Sequence, residues 1–189
     1  LHQQVRERER GERLQKALFK VAELSGHDGS LVDYCSALHV IVADLMPATN
    51  FYLAMLSDDG RTLSFPYYMD EYQSKPEARA ISRGMTEYVI RQAHAVLIDA
   101  AQMQALMAQG EVEIHGRPAQ SWLGAPLICA RGVMGVLVVQ SYSAEVLYAE
   151  RECELLMFVA YQVANGMQRR QAAEDLRKAN AMLELRVEE

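Results

Sequence analysis

Tyr52, Phe65, Tyr67, Tyr68, Arg83, Tyr88, Trp122 and Gln140 give the middle of this chain its chemistry. Aromatic rings with polar tips suit a largely apolar cavity that hydrogen-bonds a small molecule at a few points. Tyr52, Tyr67, Tyr88, Trp122 and Gln140 are expected to line one such cavity, with Phe65 and Arg83 as further members. Filling an ordinary core is the competing role for each. Gly84-Met85-Thr86, with Arg83 before it, precedes a helix and could seat an anion, but an ordinary N-cap at Thr86 is preferred.

Other chemistries are poorly served. His94, Glu111, Glu113 and His115 can bind metals but lack a ligand spacing, and Cys35 with His39 at i,i+4 has no further ligands. No metal and no cofactor is expected. There is no G-x-S-x-G, no CxxC and no glycine-rich phosphate loop ahead of a helix. Asp70 and Glu71 are adjacent, would point apart in a strand, and make a poor acid–base pair. No catalytic residue is expected.

The elements that would position these groups follow from patterning. Leu14, Leu18, Val21 and Leu24 mark a helix ending near Ser25-Gly26, and Gly26 to Ser30 reads as a loop. Leu31, Tyr34, Leu38, Ile41, Val42 and Leu45 mark a second helix. Asn50 to Leu56 and Leu63 to Tyr68 read as strands joined by the turn Ser57-Asp58-Asp59-Gly60, and Pro66 places the second at or near an edge. Asp70 to Arg83 is expected to be a long irregular loop. A short helix over Glu87 to Gln92, a strand at Val96 to Ile98 and a helix over Asp99 to Gln109 follow. After a second irregular stretch, Glu111 to Gln120, come strands at Trp122 to Ile128 and Val133 to Ser141. Short hairpins at both ends predict an α+β fold with an antiparallel sheet flanked by helices.

From Tyr148 the chain is expected to run as one helix to Glu189. Leu155, Leu156, Phe158, Val159 and Val163 form a broad packing face. Beyond Gly166 the pattern narrows to Ala173, Leu176, Asn180, Leu183 and Val187, a heptad seam with Asn180 at an a-type position. Such an Asn favours a parallel, in-register pair. A homodimer through the terminal helices is therefore expected.

With 189 residues, 50% of them hydrophobic, the chain can form one ordinary core plus extensions. The division expected is a linker helix over 1–13, a domain over 14–168 and a coiled-coil linker helix over 169–189. A net charge of -6 leaves no footprint for nucleic acid. No apolar run approaches the ~20 residues that span a bilayer, and three widely spaced cysteines fit a reducing compartment, so no membrane insertion and a cytoplasmic location are expected. The chain opens on Leu1 and closes inside a helical pattern, so it is expected to be an excerpt of a longer protein.

Asn50-Phe-Tyr-Leu-Ala-Met-Leu56, Leu63-Ser-Phe-Pro-Tyr67, Gly84-Met-Thr-Glu-Tyr88, Trp122-Leu-Gly-Ala-Pro-Leu127 and Gly135-Val-Leu-Val-Val-Gln-Ser-Tyr142 resemble the GAF domain. More narrowly, they are similar to the bacterial GAF type placed ahead of GGDEF (diguanylate cyclase), EAL or histidine-kinase output domains. The likeness covers about residues 14 to 170, and Arg169 to Arg177 looks like the helix that links such sensors to their effectors. It implies a central antiparallel sheet of five or six strands, a dimer through end helices on one face, and a small-molecule pocket on the other. It also implies a downstream output domain in the same chain, with diguanylate cyclase favoured.

Departures from better-defined subclasses narrow the ligand no further. The Asn-Lys-Phe-Asp-Glu signature of cyclic-nucleotide-binding members is missing, and no cysteine sits in a bilin-attachment motif. Free methionine-sulfoxide reductases of this fold use paired redox cysteines, for which Cys35, Cys129 and Cys153 are an unpromising set. A purely structural dimerisation module and a small redox enzyme remain the alternatives to a non-catalytic sensor.

Overall fold

In a computed structural model, residues 2–26 and 29–187 are described. His27 and Asp28 of the expected loop, and Glu188 and Glu189 of the expected last helix, lie outside them. Helix α1 (His2–Leu24) leads into α2 (Leu31–Leu45), then strands β1 (Asn50–Leu56), β2 (Thr62–Met69) and β3 (Arg79–Ala80). Helix α3 (Met85–Gln92), β4 (Val96–Asp99), α4 (Ala100–Ala108), β5 (Ser121–Cys129), β6 (Gly132–Ser141) and α5 (Glu150–Val187) complete the chain.

The strands form one six-stranded antiparallel sheet in the order β3-β2-β1-β6-β5-β4. Among the described residues, helices flank both faces, an α+β architecture. Strands β1, β5 and β6 carry consecutive buried residues because helices cover both faces of the sheet there. Phe51, Leu53, Leu123, Leu127, Leu137 and Val139 point to one face and meet α1, α2 and α5 through Val21, Leu38, Val42, Leu156, Val159 and Val163. Each such fully buried side chain contributes roughly 1.5–3 kcal/mol. On the other face Tyr52, Leu63, Phe65, Trp122, Val136 and Val138 lie under Met85, Val89 and Met103 of α3 and α4.

Two local features depart from the sequence expectation. The stretch 70–83 is not wholly irregular, because Arg79 and Ala80 pair with Leu63 and Thr62 as β3. Thr86 is not the cap of α3. The N-cap is Gly84, with no side-chain cap bond, and Thr86 is buried in the first turn. Asp99, by contrast, closes a full capping box on α4, its side chain accepting from Gln102 N while Gln102 Oε1 accepts from Asp99 N.

Helix α5 packs on the sheet through its first half, and Gly166 brings it against the end of α1. A Cβ there would lie 2.5 Å from Ser25 Oγ, so only a glycine permits this approach. Beyond that crossing the side chains turn outward, Leu176 and Leu183 being 62% and 59% exposed and Asn180 exposed. The side chain of Val187 lies outside the described residues. No described helix is long and apolar enough to cross a membrane.

Candidate functional site

The sheet face opposite α1, α2 and α5 carries a cavity of about 470 Å³. Its floor is the outward ring set of β1, β2 and β5, and its roof is α3, Met103 of α4 and the segments around Gln73 and His115. Tyr52, Phe65, Trp122 and Gln140 reach it. Trp122 owes its place to Gly124, two residues on along β5, because a Cβ there would collide with the indole ring.

Tyr67, Arg83 and Tyr88 do not reach it. Leu53 pairs with Tyr67 but Met55 pairs with Ser64, so Phe65 and Pro66 together oppose Ala54. That bulge interrupts the alternation, and Tyr68 takes the cavity side while Tyr67 turns to the helix-covered face. There His39 Nε2 donates to Ala48 O at 2.5 Å, which leaves Nδ1 to accept from Tyr67 Oη at 2.8 Å. His39 also stacks on Phe51 with centroids 4.8 Å apart. Both ring nitrogens are therefore engaged, and no Cys35–His39 pair is available for a metal. Arg83 lies in a shallow depression beside Leu56, Ile81 and Ile90, and Tyr88 borders a groove along β4.

Polar groups tie roof to floor. Tyr52 Oη and Thr86 Oγ1 are 2.9 Å apart, and Gln140 Nε2 and Tyr142 Oη donate to Asp70 Oδ2 at 2.9 and 2.8 Å. Asp70 Oδ1 accepts from Tyr72 N and Gln73 N, shaping the first turn of the roof. Arg117, from the second roof segment, lies 4.0 Å over the Tyr72 ring and clasps the two segments together. Burial pushes the Tyr68 phenol up to about 12, with the Asp70 charge adding to the rise, and pushes Tyr52 higher still. Both are neutral donors at physiological pH.

Sequence reasoning missed Glu87, a wall residue only 1% exposed. Its Oε1 accepts from Arg79 Nη1, Ser82 N and Ser82 Oγ. Burial acts to raise its pKa, yet the Arg79 and Ser82 hydrogen bonds outweigh that and hold it below the ordinary carboxyl range. Oε2 is buried and has no hydrogen-bond partner, which costs about 1–3 kcal/mol or more for a charged group. Nothing in the spacing of Glu87 marks it. A glutamate in the first turn of a helix usually serves the helix dipole in water.

Cys35 and Cys153 are buried on the helix-covered face and Cys129 is half-exposed on β5; none borders the cavity. Among the described residues no group of three His, Cys, Asp or Glu could hold a metal ion. His94, Glu111, Glu113 and His115 are exposed.

The family model described as GAF domain matches residues 35–168. No curated protein matches the chain. Among solved structures, the GAF domain from a Coxiella burnetii phosphoenolpyruvate-protein phosphotransferase aligns with a TM-score of 0.68 at 16% identity, over 87% of this chain and 98% of that one. The GAF domain from the Acinetobacter phosphoenolpyruvate-protein phosphotransferase aligns with a TM-score of 0.63 at 19% identity, over 84% and 94%. The free methionine-R-sulfoxide reductase from Neisseria meningitidis, in complex with its substrate, aligns with a TM-score of 0.65 at 14% identity, over 84% and 91%. At such identities these likenesses concern the fold alone.

Proposed function

The chain belongs to the GAF domain family, and from that premise we propose that it is the non-catalytic sensor part of a larger bacterial signalling protein. A small molecule held by Tyr52, Phe65, Trp122 and Gln140 biases the packing of α1 and α5. Two copies pair through those helices in the cytoplasm, and the Leu176, Asn180, Leu183 and Val187 seam carries the bias to an output domain in the same chain. A diguanylate cyclase suits that output, because such an enzyme works when two catalytic domains are brought together.

One observation carries the reading: the ring-lined cavity and α5 are on opposite faces of the same strand. Trp122 borders the cavity while its neighbours Leu123, Ala125 and Leu127 pack with the α5 side chains Leu156 and Val159. A ligand that shifts β5 therefore pushes directly on α5. For this to switch anything, the ligand must bind two helix arrangements with different affinity. A thermal-shift screen with metabolites tests it, repeated on Trp122→Ala. Stabilisation by at least one compound, lost in the variant, is expected; no compound acting on the cavity would remove the sensor reading.

The likeness to a methionine-sulfoxide reductase raises the redox alternative. The cysteines speak against it, since none borders the cavity and two are sealed beneath the helices. Thiol trapping that finds all three cysteines unpaired after oxidation excludes it. A purely structural dimerisation module is disfavoured by the open volume above Trp122.

A further inference from the structure

We propose that the cavity takes a flat aromatic molecule that gives a neutral O–H or N–H to Gln140, and that Asp70, behind the wall, makes Gln140 the acceptor. This rests on the sensing role proposed above and names the chemistry of its ligand.

An amide side chain can donate or accept, so its direction decides which ligand it suits. Gln140 Nε2 donates to Asp70 Oδ2 at 2.9 Å. A carboxylate only accepts, so the nitrogen must be the end that faces Asp70, and the oxygen is the end turned from it. Asp70 is itself pinned. Its Oδ2 also accepts from Tyr142 Oη, and its Oδ1 accepts from Tyr72 N and Gln73 N. Gln140 borders the cavity and Asp70 does not.

The oxygen is open to an incoming donor. Among the described residues no group donates to Gln140 Oε1, and the side-chain atoms sealed without a partner are Tyr34 Oη, Glu87 Oε2 and Arg170 Nη2. Gln140 Oε1 is not one of them. Trp122 is the cross-strand partner of Gln140, so the indole stands beside the amide on the same sheet face. With Tyr52, Phe65 and Tyr68 it supplies ring surface, so the donor belongs on an aromatic system. Charge narrows the donor further. Asp70 has no cationic partner among the described residues, and its charge already acts on the Tyr68 phenol. That charge polarises the amide and strengthens Oε1 as an acceptor, while it repels an anionic group brought to the same place.

The whole chain is titrated calorimetrically with 2-naphthol, its methyl ether and naphthalene, which carry a donor, an acceptor alone and neither. Occupancy is followed by the indole N–H signal of Trp122, the chain's one tryptophan. The naphthol is expected to shift that signal and to bind about fivefold tighter than the ether or better, the factor for an acceptor left without its donor. Asp70→Asn keeps an oxygen for Tyr72 N and Gln73 N but sets an amide nitrogen against Gln140, whose own amide then turns over. The preference for the naphthol is expected to vanish in that variant, and also in Gln140→Met, which has no amide. Equal binding of naphthol and ether to the parent, or an unchanged preference in either variant, would overturn the proposal. Should Asp70→Asn lose its native circular dichroism, Gln140→Met decides. If all three compounds move the Trp122 signal and bind equally, the donor assignment falls and the sensing cavity stands. If none moves it, both fall.

Discussion

Tyr52 on β1 and Thr86 in the first turn of α3 are joined hydroxyl to hydroxyl at 2.9 Å, a bond that ties the cavity floor to its roof. Both residues are buried, so neither hydroxyl has water to fall back on. Tyr52→Phe is expected to lower unfolding free energy by about 1–2 kcal/mol, the cost of stranding the threonine hydroxyl. Urea denaturation checks this. A variant as stable as the parent would mean that roof and floor are not coupled.

Stability should fall in acid through Glu87. Its pKa is depressed in the folded state from the ordinary 4.5, so the unfolded chain binds the proton first as pH drops. The contribution is fully present above 4.5 and is lost as pH falls through the lower folded value. Denaturation curves from pH 7 down to pH 3 are expected to show a steeper acid loss for the parent than for Glu87→Gln. Parallel curves would contradict the assignment.

At the crossing of α1 and α5, Gly166→Ala sets a Cβ 2.5 Å from Ser25 Oγ. Alanine gains up to about 1 kcal/mol in helix propensity but overpacking costs about 1–3 kcal/mol, so a net loss is expected. Adding Ser25→Gly removes the obstacle and should recover stability beyond additivity. A double-mutant cycle measures the coupling; additive singles would show that the helices do not meet there.

The cysteines should differ in reactivity. Burial pushes the Cys35 thiol up to about 11 and raises Cys153 as well. Under native conditions at pH 8, Cys129, half-exposed on β5, is expected to react with iodoacetamide while the other two wait for unfolding. Mass spectrometry of the labelled chain decides it, and early labelling of Cys35 would contradict the packing of α2.

The sheet was legible because β1, β5 and β6 are short apolar runs, rich in β-branched and aromatic residues and bounded by turns. β3 was not legible: Arg79 and Ala80 carry no strand pattern and pair only because β2 offers a free edge. Tyr67 was expected in the cavity as an aromatic ring with a polar tip, and the bulge that sends it to His39 depends on pairing geometry with β1. Arg83 and Tyr88 flank the cavity residues Gly84 to Glu87 in sequence, but they line other depressions. Glu87 was hidden for a different reason. Its partners Arg79 and Ser82 are eight and five residues upstream across a roof segment whose path no local rule gives. Leu176 and Leu183 are exposed, as is every described side chain from Gln171 to Arg186, so the single chain does not distinguish a seam from the rest of that helix.

The central claim is that two α5 helices lie side by side and respond to the cavity. Pulsed dipolar spectroscopy on Leu183→Cys, spin-labelled after Cys35, Cys129 and Cys153 are replaced by alanine, measures it directly. Paired helices have axes about 8–10 Å apart, so a short inter-chain distance is predicted, and it should shift or sharpen with any compound that moves the Trp122 indole signal. No dipolar coupling between chains, or a distance indifferent to such a compound, would contradict the account.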